Sequence, residues 1–313
     1  MRILITGGTG FLGKNIEQHL GQFLNQDYSL TLVGSSVYDL RCQQACRKMV
    51  QYHNPDVIVH AAGSVGGIGA NKDNPGKFMY ENLIMGANLI ERARIEKTPK
   101  FILLGTVCAY PKHTPVPFLE ESLWDGYPEE TNAPYGIAKK TLMRLLQAYG
   151  EQYGMRGANL IPVNMYGPHD HFNTTSSHVI PALILKFYNA IKNGEKMVTV
   201  WGSGKASREF LYAPDCVEAI ARAIETEPGL QPINIGTGKE ITIKELVTEI
   251  SDQMGYTGFL KYDDSKPDGQ PRRCLDTTKA KQLLDFEAKT DLKTGLKQTI
   301  DWFMNDNNWE IPE

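Results

Sequence analysis

No apolar run in this chain approaches the ~18 residues that a membrane-spanning helix requires, so a membrane partner is not expected. An excess of one charge is missing too. The net charge of −3 leaves no basic footprint, which argues against nucleic acid and anionic lipid as main partners. Cysteine is sparse and odd in number: Cys42, Cys46, Cys108, Cys216 and Cys274 are scattered, the pattern of reduced thiols and not of a disulfide framework. Cys42 and Cys46 share a helical face, but two thiols cannot close a zinc site, and His169 with His171 has no third ligand patterned beside it. No metal is expected. The chain opens directly on strand-like Met1 to Ile5, leaving no room for a leader, and the cytoplasm is the expected compartment. Internal repeats, low-complexity tracts and long linkers are absent as well. What is present, 41% hydrophobic and 22% charged residues over 313 positions, suits one main core with a smaller lobe.

The first apolar run, Met1 to Thr6, leads into Gly7-Gly8-Thr9-Gly10-Phe11-Leu12-Gly13 and then a helical pattern from Asn15 to Phe23. Glycines at 7, 10 and 13 permit a tight turn, close approach of backbone N–H groups to a pyrophosphate, and close packing of helix on strand. A strand before and a helix after is the context a dinucleotide site needs, with Phe11 and Leu12 carried in the same turn. The second strand, Leu30 to Val33, is followed by Gly34-Ser35-Ser36 where an acid often meets the adenosine ribose. Its absence favours NADP, although no arginine stands in its place, and NAD is not excluded. Ser35 and Ser36 offer hydroxyls to a phosphate and Lys14 or Arg41 a charge, or all four are surface residues. Asp39 and Leu40 are expected on the adenine side, with a turn or helix cap as the alternative for Asp39. A third strand, Val57 to His60, ends in Ala61-Ala62-Gly63, small residues that let a nucleotide lie across the sheet; Ser64 to Ala70 reads as a flexible loop. Helical pattern resumes from Phe78 to Ile95, then a fourth strand from Phe101 to Leu104. This alternation predicts an α/β fold, a Rossmann-like doubly wound parallel sheet with a smaller mixed α/β substrate-binding lobe. The expected division is 1–165 plus about 210–237 for the coenzyme domain, and about 166–209 with 238–313 for the lobe.

The stretch with the most chemistry is Tyr135-Gly136-Ile137-Ala138-Lys139, downstream of Gly105-Thr106-Val107-Cys108-Ala109-Tyr110. Four residues apart on a helix, Tyr135 and Lys139 present a phenol and an ammonium to one face. A free phenol titrates near ~10, and a nearby cation favours the phenolate, bringing it toward acid/base use at neutral pH. Spacing alone is weak, because Tyr188/Lys192 and Tyr262/Lys266 repeat it. Tyr188 lies in an apolar helix pattern, and Lys266 precedes Pro267, which disfavours helix. Only Tyr135 follows a buried strand that ends in a hydroxyl and a thiol.

Further motifs give the chain a resemblance. Val65-Gly66-Gly67-Ile68-Gly69-Ala70-Asn71, Leu104 to Lys112, Glu130 to Lys139, Asn164-Met165-Tyr166-Gly167-Pro168-His169-Asp170, Ser177-His178-Val179-Ile180-Pro181-Ala182, Val200 to Gly204, Arg208 to Leu211 and Ser265 to Gly269 together span nearly the whole sequence. They resemble the extended short-chain dehydrogenase/reductase superfamily, and within it the branch of 3,5-epimerase/4-reductases acting on GDP-4-keto-6-deoxy-mannose. The thiol at Cys108 and the Ser-His-Val-Ile-Pro motif are the specific signals. The resemblance implies that Cys108 and His178 move protons at the carbons flanking a ketone. A free thiol titrates near ~8.5, lower beside a cation, and histidine lies nearest neutrality. It implies that NADPH reduces C4, that Tyr135 protonates the alkoxide, that Lys139 lowers the phenol pKa and binds the nicotinamide ribose, and that Thr106 hydrogen-bonds the carbonyl. Asn164, Lys186, Trp201, Arg208 and Lys266 would hold the GDP-sugar, with Asn164 and His178 also near the coenzyme. A homodimer through helices near 80–95 and 135–150 is implied as well.

Four departures matter. Thr106 stands where serine is usual, Val107 replaces a second serine, and Thr9 occupies a glycine-turn position where some members carry an arginine for the NADP phosphate. Gly63-Ser64 also differs after the third strand. A 4,6-dehydratase would carry a carboxylate pair after the strand-four threonine, which Val107-Cys108 does not supply. A 4-epimerase, a reductase for a 3-deoxy or heptose analogue, and a non-catalytic nucleotide sensor are the other readings; the intact Tyr135 and Lys139 weigh against the last.

Overall fold

Short strands buried on both faces alternate with amphipathic helices through the first half of the chain, and that pattern dictates the central layer. The computed structural model describes residues 1–173, 177–266 and 268–307; Pro267 and the end of the expected lobe, 308–313, lie outside the described residues. The elements run β1 (Arg2–Thr6), α1 (Phe11–His19), β2 (Ser29–Val33), α2 (Gln43–His53), β3 (Val57–His60), α3 (Ile68–Asp73), α4 (Pro75–Ile95), β4 (Lys100–Leu104), α5 (Ala133–Tyr153), β5 (Gly157–Pro162) and β6 (Asn164–Tyr166). They continue as α6 (Val179–Lys192), β7 (Met197–Trp201), β8 (Ser207–Tyr212), α7 (Ala213–Glu225), β9 (Pro232–Ile235), β10 (Glu240–Thr242), α8 (Ile243–Gln253), β11 (Phe259–Asp263), α9 (Thr278–Leu284) and α10 (Leu292–Asp306).

Six strands form one sheet in the order β2-β1-β3-β4-β5-β9, every pair parallel. Strands β3, β4 and β5 are buried throughout, and β1 apart from Arg2, as parallel strands covered by helices on both sides must be. Strand order reverses beside β1, which opens a crevice at the carboxyl ends of β1 and β3, the place where such sheets take ligands. Isoleucines and valines of these strands form one core with α2, α4, α5 and α7. A second core gathers Phe187, Val198, Val200, Leu246, Ile250, Leu296 and Phe303 from α6, β7, α8 and α10. Strand β8 serves both, since successive side chains point to opposite faces: Leu211 enters the first core, Phe210 and Tyr212 the second. No helix of the described residues is long and apolar enough to cross a membrane.

The structure differs from the sequence expectation in a few places, each with a local cause. The supposed flexible loop 64–70 becomes helical from Ile68, because Asn71 Nδ2 donates to the carbonyls of Gly66 and Gly67, while Asn82 grips Ser64 by two hydrogen bonds. Asn164 to Tyr166, part of a motif and not an expected strand, pairs in parallel with β8. Leu275, Ala280, Leu284 and Phe286, expected in the smaller lobe, pack into the first core. The tie is Glu209, a fully buried carboxylate on β8 that accepts from the backbone N–H groups of Thr237, Gly238 and Leu275. It clamps the segment after β9 and the segment before α9 onto one strand.

Candidate active site

At the carboxyl ends of β1 and β3 the glycine turn passes so close to its neighbours that side chains are excluded. Gly7 has φ +74°, and a Cβ there would sit 2.8 Å from the Ala62 backbone; a Cβ on Gly13 would collide with the Gly7 carbonyl. Gly13 therefore packs α1 against the turn, while Gly7, Gly10, Phe11 and Leu12 line a cavity. Gly10 caps α1 without a side-chain bond, and the first turn carries no acid. Unpaired N–H groups and the positive end of the helix dipole face an open cradle, which fits a pyrophosphate.

That cradle is one end of a single cavity of about 960 Å³. Its walls include Ser35, Asp39, Leu40, Ala61, Ala62 and Gly63 beyond the sheet, then Thr106, Cys108, Tyr135, Lys139, Asn164 and His178, and further on Lys186, Trp201, Arg208 and Lys266. Of the residues singled out from sequence for coenzyme or sugar, Gly13, Lys14 and Ser36 do not line it. The size and the coenzyme-shaped cradle leave room for two ligands end to end.

The reactive middle is built by a tight turn. Thr106 ends the segment after β4 and its hydroxyl accepts from Cys108 N at 3.2 Å, capping a single helical turn at Val107–Ala109. Gly136 lets α5 press onto that turn, since a Cβ there would strike the Cys108 carbonyl. This contact sets Tyr135 beside the thiol. Burial raises the phenol well above its ordinary pKa, with Cys108 adding to the shift and a hydrogen bond from Thr106 opposing it. The expected lowering of the phenol by Lys139 does not appear. The Lys139 ammonium is instead turned to the carbonyls of Leu104 at 3.1 Å and Ala62 at 3.4 Å, and burial draws it down to about 8. His178 forms the N-terminal cap of α6 and opens onto the cavity; the surrounding walls, and then His171, hold it below the usual histidine value.

A residue the sequence reading missed completes this centre. Arg273 is buried, and its Nη1 lies 3.7 Å from Cys108 Sγ and 3.3 Å from Asn164 Oδ1, while Nε donates to Gln270 Oε1. Nothing in the run Pro271-Arg272-Arg273-Cys274 marks one arginine as buried; its proximity to the Ser265–Gly269 motif was the only signal. Asn164 is held by Nδ2 donating to Glu209 O, so the Glu209 clamp helps position both Arg273 and its partner Asn164.

Arg208 faces the same space. Its Nη1 and Nη2 donate to the carbonyls of Ser207 and Asp268, and burial, then repulsion from Arg273, draws it down to about 10. Two guanidinium groups that repel each other across a cavity are a demand for an anion. At the outer end the Trp201 ring is half exposed, with Lys186 Nζ at 5.2 Å and Lys266 Nζ at 5.8 Å from its centroid. This is an aromatic platform with cations beside it, suited to a base and its phosphates.

The model of the NAD dependent epimerase/dehydratase family matches residues 3–236. Among curated proteins, the chain is 37% identical to GDP-L-fucose synthase of Escherichia coli (strain K12), over 98% of each chain. It is 38% identical to GDP-L-colitose synthase of Yersinia pseudotuberculosis, over 98% of this chain and 99% of that one. A solved GDP-L-fucose synthetase from Naegleria fowleri, bound to NADP, superposes with a TM-score of 0.88 at 29% identity, covering 98% of this chain and 95% of its own.

Proposed function

The chain belongs to the NAD dependent epimerase/dehydratase family, and within it we propose that it makes GDP-L-fucose, by epimerising GDP-4-keto-6-deoxy-D-mannose at C3 and C5 and then reducing C4 with NADPH. The observation that carries this reading is that Cys108, His178 and Tyr135 open onto one cavity whose far end is the glycine cradle. The ketone acidifies the protons on its neighbouring carbons, and inversion there needs one group to take a proton and another to give one. We assign these roles to Cys108 and His178, with Arg273 offering a cation to charge that develops on the sulfur. The depressed basicity of His178 means that a proton it receives is readily returned. Reduced nicotinamide, when bound, supplies the hydride for C4. Tyr135, which burial keeps protonated at neutral pH, gives its proton to the C4 oxygen while the Thr106 hydroxyl orients it. Asn164, Lys186, Trp201, Arg208 and Lys266 hold the GDP moiety, the guanidinium on diphosphate and the indole against the base.

Purified protein is expected to oxidise NADPH in the presence of GDP-4-keto-6-deoxy-D-mannose and to release GDP-L-fucose. Absence of turnover with NADPH and NADH alike would defeat the reading. A second reading, an epimerase/reductase for a related GDP-keto-sugar, draws on the relative named GDP-L-colitose synthase, whose identity to this chain is as high. Turnover confined to another GDP-keto-sugar would select it.

We assign coenzyme binding to 1–165 with about 210–237, and substrate binding to the remainder apart from the 275–286 segment that packs in the first core. A homodimer through α4 and α5 is part of the proposal. The two helices pack side by side, and Ile84 with Ala87 on one and Ile137 with Leu145 on the other stay partly exposed at helical spacing. Sedimentation is expected to give twice the chain mass, and a monomeric mass would remove the dimer. Five free cysteines, three of them buried, favour a reducing compartment such as the cytoplasm.

A further inference from the structure

The coenzyme end of the cavity has an unusual charge arrangement. Immediately after β2 the chain runs through neutral Gly34, Ser35 and Ser36, and Gly34 is pressed against Thr9, whose Oγ1 would lie 2.8 Å from an added Cβ. The guanidinium that does line this wall is that of Arg41, together with Ser35, Asp39 and Glu81. It is already engaged. Arg41 Nε and Nη2 donate to the Asp39 carboxylate, both at 2.9 Å, and Nη1 donates to Glu81 Oε1 at 2.9 Å. The backbone here is pinned to α4, because Asn88 Nδ2 donates to the carbonyls of Leu40 and Arg41. Arg41 thus faces two carboxylates on the wall expected to meet the adenosine end of the coenzyme.

We infer that Arg41 is the residue by which this chain recognises the 2′-phosphate of its coenzyme, and that Asp39 and Glu81 compete for it, so that preference for NADPH over NADH is small. The inference rests on the coenzyme reading above. A guanidinium offers paired N–H donors that suit a phosphate as well as a carboxylate. The Asp39–Arg41 pair is half exposed, and exposed ion pairs hold their partners weakly, so a phosphate dianion can draw Arg41 away. Asp39 then remains beside the phosphate and opposes it. With NADH the same carboxylate can accept from the free 2′-hydroxyl, as an acid does in NAD-specific sites.

Adenosine 2′,5′-bisphosphate and AMP isolate this contact from nicotinamide and from sugar, and calorimetric titration reads each affinity directly. The wild type is expected to favour the bisphosphate by less than about tenfold at physiological salt. Arg41→Ala should remove that preference by weakening the bisphosphate alone, whereas Asp39→Asn should increase it severalfold. The opposite signs guard against a folding defect, which would weaken both ligands. Equal losses for both ligands in Arg41→Ala, an unchanged ratio in both variants, or failure of the wild type to bind either probe would overturn the inference. Turnover of the GDP-keto-sugar is measured separately, so a failure here leaves that reading standing or falling on its own test.

Discussion

Solvent deuterium should cease to enter C3 and C5 of the keto-sugar when Cys108 is replaced by serine, with the exchange rate falling by about 10²–10⁴, the range expected for losing a positioned proton-transfer group. The substitution keeps the shape and the Thr106-capped turn while exchanging a thiol for a hydroxyl that gives up its proton far less readily. The sulfur lies 3.7 Å from Arg273 Nη1, so negative charge formed on it meets a buried cation. Arg273→Met should accordingly reduce exchange as well, by a smaller factor, since the charge on the sulfur would lose its neighbouring cation. Mass spectrometry of recovered sugar measures both. Undiminished deuterium uptake in Cys108→Ser would take the thiol out of the mechanism.

How much of this was visible in the sequence follows from the range of the interactions. The glycine turn, the strand ending in Thr106 and Cys108, and the Tyr135–Lys139 spacing are local patterns, and local patterns survive reading one residue after another. The sheet was legible for the same reason, its buried strands being continuous apolar runs. The contact of Arg273 with Cys108 joins positions 165 residues apart, through a loop whose composition resembles any polar surface loop. The Glu209 clamp on Leu275, with the Ser207 N–H on the Pro271 carbonyl and the Phe118 N–H on the Cys274 carbonyl, holds it there. The direction of Lys139 was equally hidden: helical spacing sets which face a side chain shares, but the carbonyls left open at the ends of β3 and β4 decide where the ammonium points. The short strands β10 and β11 escaped because neither carries enough apolar length to stand out from loop.

Tyr135→Phe is the converse experiment. Deuterium exchange at C3 and C5 should persist within a few-fold, while the rate of NADPH oxidation falls by about 10²–10⁴. The phenol is buried, and its proton is held more tightly than in water, first by burial and then by the neighbouring Cys108. Such a group does not ionise at neutral pH on its own, yet an alkoxide forming at C4 is a far stronger base and takes the proton from it. Phenylalanine fills the same volume and leaves Gly136 packed on the Cys108 turn, so the proposed epimerising pair keeps its geometry. Lys139 adds a pH signature. With its ammonium drawn down to about 8 by burial, the group is charged below that pH and neutral above it. Reduction should therefore decline as pH rises past about 8, and Lys139→Met should flatten that limb while lowering the plateau. Stopped-flow absorbance of NADPH, run beside the deuterium assay on the same variants, separates the two halves of the reaction. If Tyr135→Phe and Cys108→Ser lost exchange and reduction to the same degree, a single shared step would have to replace the division of labour derived from the two side chains.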